Sequence, residues 1–171
     1  LVTADAIVIG LPIYNFGPPA ALKAWADLVA RAGTTFRYTE NGPEGLVPNK
    51  PVYVIVASGG VPVGSPMDFS STWIATFLGF LGLGDVTIIA ADQLNVDPEG
   101  ALAAARDRVD NALLAAGKQA ALPRATAVLA RKSALGAAAV VAGAWVLVAG
   151  GQLDSADDWI DGLSAPAGYL E

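Results

Sequence analysis

The 171-residue chain has no cysteine and no histidine. Their absence excludes disulfide staples, iron-sulfur ligation, thiolate nucleophiles, and every histidine-dependent triad, zinc site or imidazole proton shuttle. Charge is scarce as well, at 15% of residues, and basic charge is scarcest: 10 Lys plus Arg stand against 16 Asp plus Glu, a formal net charge of -6. The Coulomb term therefore opposes nonspecific binding to nucleic acid or to an anionic lipid surface. What remains for chemistry is carboxylates, hydroxyls, lysine, main-chain amides or a bound cofactor. No catalytic side chain and no metal-ligand set stands out.

Hydrophobic residues make up 54% of the chain, enough for one core and one ordinary domain. Residues 1–117 repeat one pattern three times: a short continuous apolar run, a loop rich in Gly and Pro, then an amphipathic helix, which predicts an α/β fold. The runs are residues 6–10, 52–57 and 86–91, and unbroken apolarity suits parallel strands covered on both faces. Pro18 and Pro19 are expected to open the first helix, with Leu22, Trp25, Ala26 and Val29 on one face. The second helix carries Ile74, Phe77, Leu78 and Leu81 at the same spacing. The third starts with Asp97 as N-cap and Pro98 at its first position, with Leu102, Ala105, Val109 and Leu113 inward. Between the first helix and the second run, residues 34–45 are β-prone and lead into an Asn41-Gly42 turn, an excursion that should project from the sheet.

At Gly117 the composition changes, marking residues 118–171 as an Ala/Gly-rich tail. Lys118, Arg124, Arg131 and Lys132 precede residues 133–153, which carry no charge, and Asp154, Asp157, Asp158 and Asp161 follow. Three readings of the uncharged run stand side by side: a helix long enough to cross a bilayer, a helix buried in a core or dimer interface, and a strand over residues 144–149. In the strand reading the tail supplies a sheet partner and Gly150-Gly151 serves as an anion loop, against the opposing charge of the aspartates just beyond. Asp5 interrupts the only early apolar run, so nothing there resembles a signal peptide. The expected location is the cytoplasm, with a membrane tether through residues 133–153 as the alternative.

In an open parallel sheet, ligands bind beyond the carboxyl ends of the strands. That directs attention to residues 11–19, with Tyr14 and Phe16, and to residues 58–66, with Gly59 and Gly60. A planar heteroaromatic ligand needs amide donors at its polar edge and apolar or aromatic walls on its faces, and these two loops are suited to supply both. A Rossmann fingerprint does not fit, since Gly17-Pro18-Pro19 follows the first strand. Asp68, Asp92 and Asp97 read as loop and helix-start residues, not as an acid-base couple.

The stretch Pro12-Ile13-Tyr14-Asn15-Phe16, the helix end over residues 27–33, the block over residues 35–46 and Thr76-Phe77-Leu78-Gly79-Phe80 closely resemble the FMN-dependent NADH-azoreductases, also described as NADH:quinone oxidoreductases. The resemblance covers residues 1–117. It implies a flavodoxin-like parallel sheet with flanking helices, a homodimer with two active sites at its interface, and an FMN that takes a hydride from NADH or NADPH. Two electrons then pass to a quinone or azo compound. By position, Pro12, Ile13, Tyr14, Asn15 and Phe16 would line the isoalloxazine ring, and Ala57, Ser58, Gly59 and Gly60 would place amides along its polar edge. Tyr38 and Phe80 match aromatics bordering the substrate pocket near the dimer seam. An opposing reading of Phe80 packs it with Phe77 in the core.

Two features depart from that family. A strand and a Ser-rich loop cradling the FMN phosphate commonly precede the part matched here, so the sheet is expected to be incomplete at its amino terminus and the chain alone to hold FMN poorly. Ala57-Ser58 replaces a Ser-Arg pair found in some members, and Pro62 stands where a His occurs. The alternative to the enzyme is a noncatalytic interaction or membrane-tethered module on a partial sheet.

Overall fold

A computed structural model describes residues 1–119, 127–128 and 145–149. The three apolar runs form β1 (Ala6–Pro12), β4 (Val52–Ala57) and β5 (Val86–Ala91), joined by α1 (Ala20–Val29) and α2 (Phe69–Phe80) and followed by α3 (Pro98–Gln119). The excursion after α1 is a hairpin of β2 (Phe36–Thr39) and β3 (Gly42–Gly45), and the tail contributes β6 (Ala127–Val128) and β7 (Trp145–Ala149). The main sheet runs β5-β4-β1-β7-β6, while β2 and β3 form a separate two-stranded sheet.

β1 and β4 are apolar throughout because both their faces are covered, whereas Thr87 of β5 is exposed. Ile7, Ile9 and Leu11 of β1 and Val52, Val54 and Val56 of β4 face Leu22 of α1 and Ile74 and Leu78 of α2. The alternate residues, Val8, Tyr53 and Ile55, join Ile89, Ala105 and Val109 on the α3 side. β1 pairs with β4 and β4 with β5 in parallel register, as the sequence pattern predicts. α1 begins one residue later than expected: Pro19 is the residue before its first turn, and its carbonyl accepts from Leu22 and Lys23. Asp97 caps α3 as expected, its Oδ1 accepting from the Gly100 amide at 2.9 Å.

The hairpin turns at Gly42, whose φ of 105° belongs to glycine. It is fastened at its base: Thr35 Oγ1 donates to Val29 O at 2.8 Å and accepts from Arg31 N at 2.8 Å, tying it to the end of α1. Its exit strand docks on the α2–β5 corner, where Val47 N donates to Leu81 O at 3.0 Å. Lys50, 8% exposed, reaches back to the segment before β1 and donates to the carbonyls of Leu1, Val2 and Ala4 at 3.1, 2.9 and 2.6 Å. Burial lowers its pKa, and nearby Asp5 opposes that shift.

β7 takes the place beside β1, antiparallel, with Ala6 opposite Ala149 and Gly10 opposite Trp145. The antiparallel direction brings Ala149, the residue before the glycine pair, to the amino-terminal end of β1, away from the loops that follow the parallel strands. Gly150-Gly151 themselves and the remainder of the 133–153 run lie outside the described residues. Among the described residues no helix is long and apolar enough to cross a membrane.

Candidate functional site

The parallel pairing of β1 and β4 sets the two expected loops side by side. Ile13 N donates to Ala57 O at 2.8 Å, extending the ladder one step past the strand end, so Pro12 and Ala57 are partners and the first loop leaves directly beside the second. Tyr14 and Gly17 then exchange both backbone hydrogen bonds, each 3.0 Å, closing a tight turn. Its two central residues, Asn15 and Phe16, have φ of 49° and 70°. Asn tolerates this region, whereas a bulky residue there is strained. The turn holds because its neighbours over-determine it: besides the Tyr14–Gly17 pair, Phe16 O accepts from Phe69 N at the start of α2, at 3.1 Å. The result displays two aromatic side chains, with Tyr14 50% and Phe16 44% exposed.

A variant separates strain from function here. Phe16→Gly should raise stability by about 0.5–1 kcal/mol, because glycine accepts the left-handed backbone and Phe16 is only half buried. Urea unfolding at neutral pH measures it, and a loss of stability would show that the Phe16 ring, not the turn, stabilises this corner.

The second loop is held from three sides. Ser58 N donates to Ala91 O at 3.2 Å, and Leu94 N and Asn95 N donate to the carbonyls of Ser58 and Gly59 at 3.0 and 2.8 Å. Val63 N donates to Asp92 Oδ2 at 2.6 Å. Asp68 gathers the far end: Gly64 N donates to its Oδ2 at 2.9 Å, Ser70 N and Ser71 N to its Oδ1 at 3.0 Å each, and the Ser71 hydroxyl also donates to Oδ2. Burial alone would raise the Asp68 pKa, but the donors from Gly64, Ser71 and Ser70 outweigh it and hold the carboxyl below its ordinary value. Asp68 thus serves as N-cap of α2 and as clasp of the loop.

This bonding leaves a short run of unused donors. Among the described residues the amides of Gly59, Gly60 and Val61 have no acceptor, and a Cβ placed on Gly60 would meet nothing within 4 Å. The Ser58 amide, expected to serve a ligand edge, is committed to β5, and Ala57 ends the β4 ladder with its carbonyl taken by Ile13. Val61 was not expected; no residue type marks an unpaired amide, and only the loop's hydrogen bonds reveal it.

Tyr38 and Phe80 fall together, but away from these loops. Phe36 joins them, its ring 5.5 Å from Tyr38 and 4.5 Å from Phe80, with Tyr38 75% exposed. Phe77 instead lies between Trp25 and Trp73, so the packing of Phe80 is on the hairpin. Phe80 ends α2 while Phe69 starts it beside Phe16. Eleven residue steps along the helix separate the two, roughly 16 Å along the axis. The aromatic ledge and the paired loops therefore lie at opposite ends of α2.

The described residues hold no cluster of acids fit for a metal ion. The chemistry on offer is two exposed aromatic side chains on one loop and unused amide donors on the loop paired with it.

Comparison with known proteins follows the same lines. Residues 1–113 match a family with a flavodoxin-like fold. Among curated proteins, "FMN-dependent NADH:quinone oxidoreductase 1" of Jannaschia sp. strain CCS1 is 55% identical over 107 residues, covering 63% of this chain and 56% of that protein. The "FMN-dependent NADH:quinone oxidoreductase" of Erythrobacter litoralis is 60% identical over 90 residues, 53% of this chain and 46% of that one. The chain spans about half the length of the curated relatives it matches. Among solved structures, an FMN-dependent NADH-azoreductase from Bacillus anthracis str. Ames Ancestor in complex with FMN is similar at TM-score 0.60 and 32% identity, over 64% of this chain and 55% of that one. An azoreductase from Bacillus anthracis str. Sterne has TM-score 0.58 and 31% identity, over 68% and 58% of the two chains.

Proposed function

The chain belongs to the flavodoxin-like fold family that its residues 1–113 match, and on that premise we propose that it forms the ring-binding part of an FMN-dependent oxidoreductase using NADH or NADPH to reduce quinones or azo compounds. The observation that carries this reading is the pairing of the two loops. Exposed Tyr14 and Phe16 stand on one, unused amides of Gly59, Gly60 and Val61 on the next, and a single hydrogen bond between Ile13 N and Ala57 O joins their roots. The relatives named as FMN-dependent NADH:quinone oxidoreductases, and the FMN-bound azoreductase among the structural neighbours, support it.

The residues fit the flavin ring. Pro12, Ile13, Tyr14, Asn15 and Phe16 form the apolar and aromatic wall, Ala57 and Ser58 fix the root of the second loop, and Gly59, Gly60 and Val61 donate to the polar edge. FMN, when bound, supplies the hydride and two-electron chemistry, which suits a chain lacking His and Cys. The chain's part is to orient the ring, shield it from water and leave one face open to donor and acceptor in turn. Tyr38 and Phe80 close the open face from a second copy of the chain, since within one copy they lie at the other end of α2. The working state is therefore a homodimer in which each chain contributes the ring wall of one pocket and the aromatic ledge of the other.

The phosphate is another matter. The amides of Ser70 and Ser71 at the start of α2 are taken by Asp68 and the Gly100 amide of α3 by Asp97, so these donors are not free to cradle a phosphate. Titration of the 171-residue chain with FMN and with riboflavin, followed by flavin fluorescence, tests both parts. The expected result is weak binding of the two within about threefold of each other, and a loss of about tenfold for both in Tyr14→Ala. FMN binding a hundredfold tighter than riboflavin would overturn the phosphate argument. Unchanged affinity in Tyr14→Ala would overturn the ring site.

A further inference from the structure

Among the described residues β5 ends the main sheet on one side, its outer edge facing no strand. The register fixes what that edge displays. Val52 N donates to Asp85 O at 2.8 Å and Ser58 N to Ala91 O at 3.2 Å, so the odd-numbered positions direct their peptide groups toward β4. Alternation then turns the amides and carbonyls of Val86, Ile88 and Ala90 outward. The strand reads Val-Thr-Ile-Ile-Ala-Ala, with no charge and no proline. Such an edge is a template for another strand, and its own sequence in a second molecule is an available one.

One outward acceptor is occupied. Arg108, exposed on α3, donates from Nη1 to Ala90 O at 2.9 Å. Its side chain lines both cavities along this edge, one of about 280 Å³ with Ala90 and Asp92 and one of about 440 Å³ with Thr87 and Ile88. Asp85 and Asp92 flank the strand immediately before and after it. If two copies paired antiparallel about Ile88, Val86 of one copy would face Ala90 of the other.

We propose that Arg108 guards the β5 edge: its bond to the Ala90 carbonyl keeps a second copy of the chain from adding its own β5. The guanidinium occupies the acceptor that an incoming amide needs, and its bulk lies where the incoming backbone would run. The guard is independent of the flavin site, since β5 contributes none of the ring-binding residues.

The test uses the full chain carrying Arg108→Ala, with sedimentation velocity over a concentration series and amide hydrogen exchange. The expected result is a new association step at a concentration about tenfold or more below any seen for the parent, with slowed exchange at the Ile88 amide. Arg108→Ala combined with Ala90→Pro should return to parental behaviour, because that proline removes an outward donor and leaves the bonds to β4 intact. Parental association and unchanged Ile88 exchange in Arg108→Ala would overturn the proposal. So would association that persists in the double variant with Ile88 still exchanging as in the parent.

Discussion

Gly45→Ala is expected to lower stability by about 3 kcal/mol or more. A Cβ at Gly45 would lie 2.1 Å from Gly82 N, 2.3 Å from Leu81 C and 2.5 Å from Gly82 Cα, all of them backbone atoms. Backbone cannot rotate away as a side chain can, and Gly82 is itself fixed at φ 101° with its Cβ direction closed by Val47 O. The hairpin must lift from the α2–β5 corner, and the Val47–Leu81 hydrogen bond goes with it. Gly60→Ala is the control, since its Cβ meets nothing; it should shift stability by no more than about 0.5 kcal/mol. Urea midpoints of the two variants decide the matter, and equal values would show that the hairpin yields at little cost. Because the hairpin carries Phe36 and Tyr38, Gly45→Ala should also weaken the dimer if the aromatic ledge acts across copies.

Asp68→Ala is expected to cost about 3 kcal/mol at neutral pH, by removing one helix cap and leaving four donors, from Gly64, Ser70 and Ser71, without their acceptor. Asp68→Asn should lose roughly half as much, since its carbonyl oxygen still caps α2 while its NH2 group faces the Gly64 amide. The pH dependence follows from the direction of the shift. The folded carboxyl titrates below its ordinary value of 3.8, so the unfolded chain takes up the proton first as pH falls. The contribution of Asp68 is therefore complete at pH values above the ordinary one and is lost as pH drops through the lowered folded value. Denaturant unfolding from pH 7 down to about pH 3 should show the parent losing stability more steeply at the acid end than Asp68→Asn. Parallel profiles would mean that the Asp68 carboxylate gains nothing from its donors.

Much of the fold was legible because strand apolarity and helix caps are local. The runs at β4 and β5 have the bounds the sequence predicts, and Asp97-Pro98 opens α3 as a cap and first residue. Asp68 and Asp92 also answer to their reading as loop and helix-start residues. What escaped were properties of pairing and direction. The Trp145–Ala149 strand was readable as one alternative, but nothing in an uncharged run says which way it lies against β1. Asn15-Phe16 lacks the glycine that usually marks two successive left-handed residues, so the strained turn was invisible until both φ angles were known. The separation of Tyr38 and Phe80 from the paired loops follows from the length of α2, a distance that residue types do not express.

Lys50 makes one last property of the fold measurable. An amine enclosed by three carbonyls cannot be acylated in place, because the reagent needs a lone pair that is both unprotonated and uncovered. Its acylation rate therefore counts the moments at which the first few residues swing free, and peptide mapping at this one site reports the lifetime of that leading segment without any engineered label.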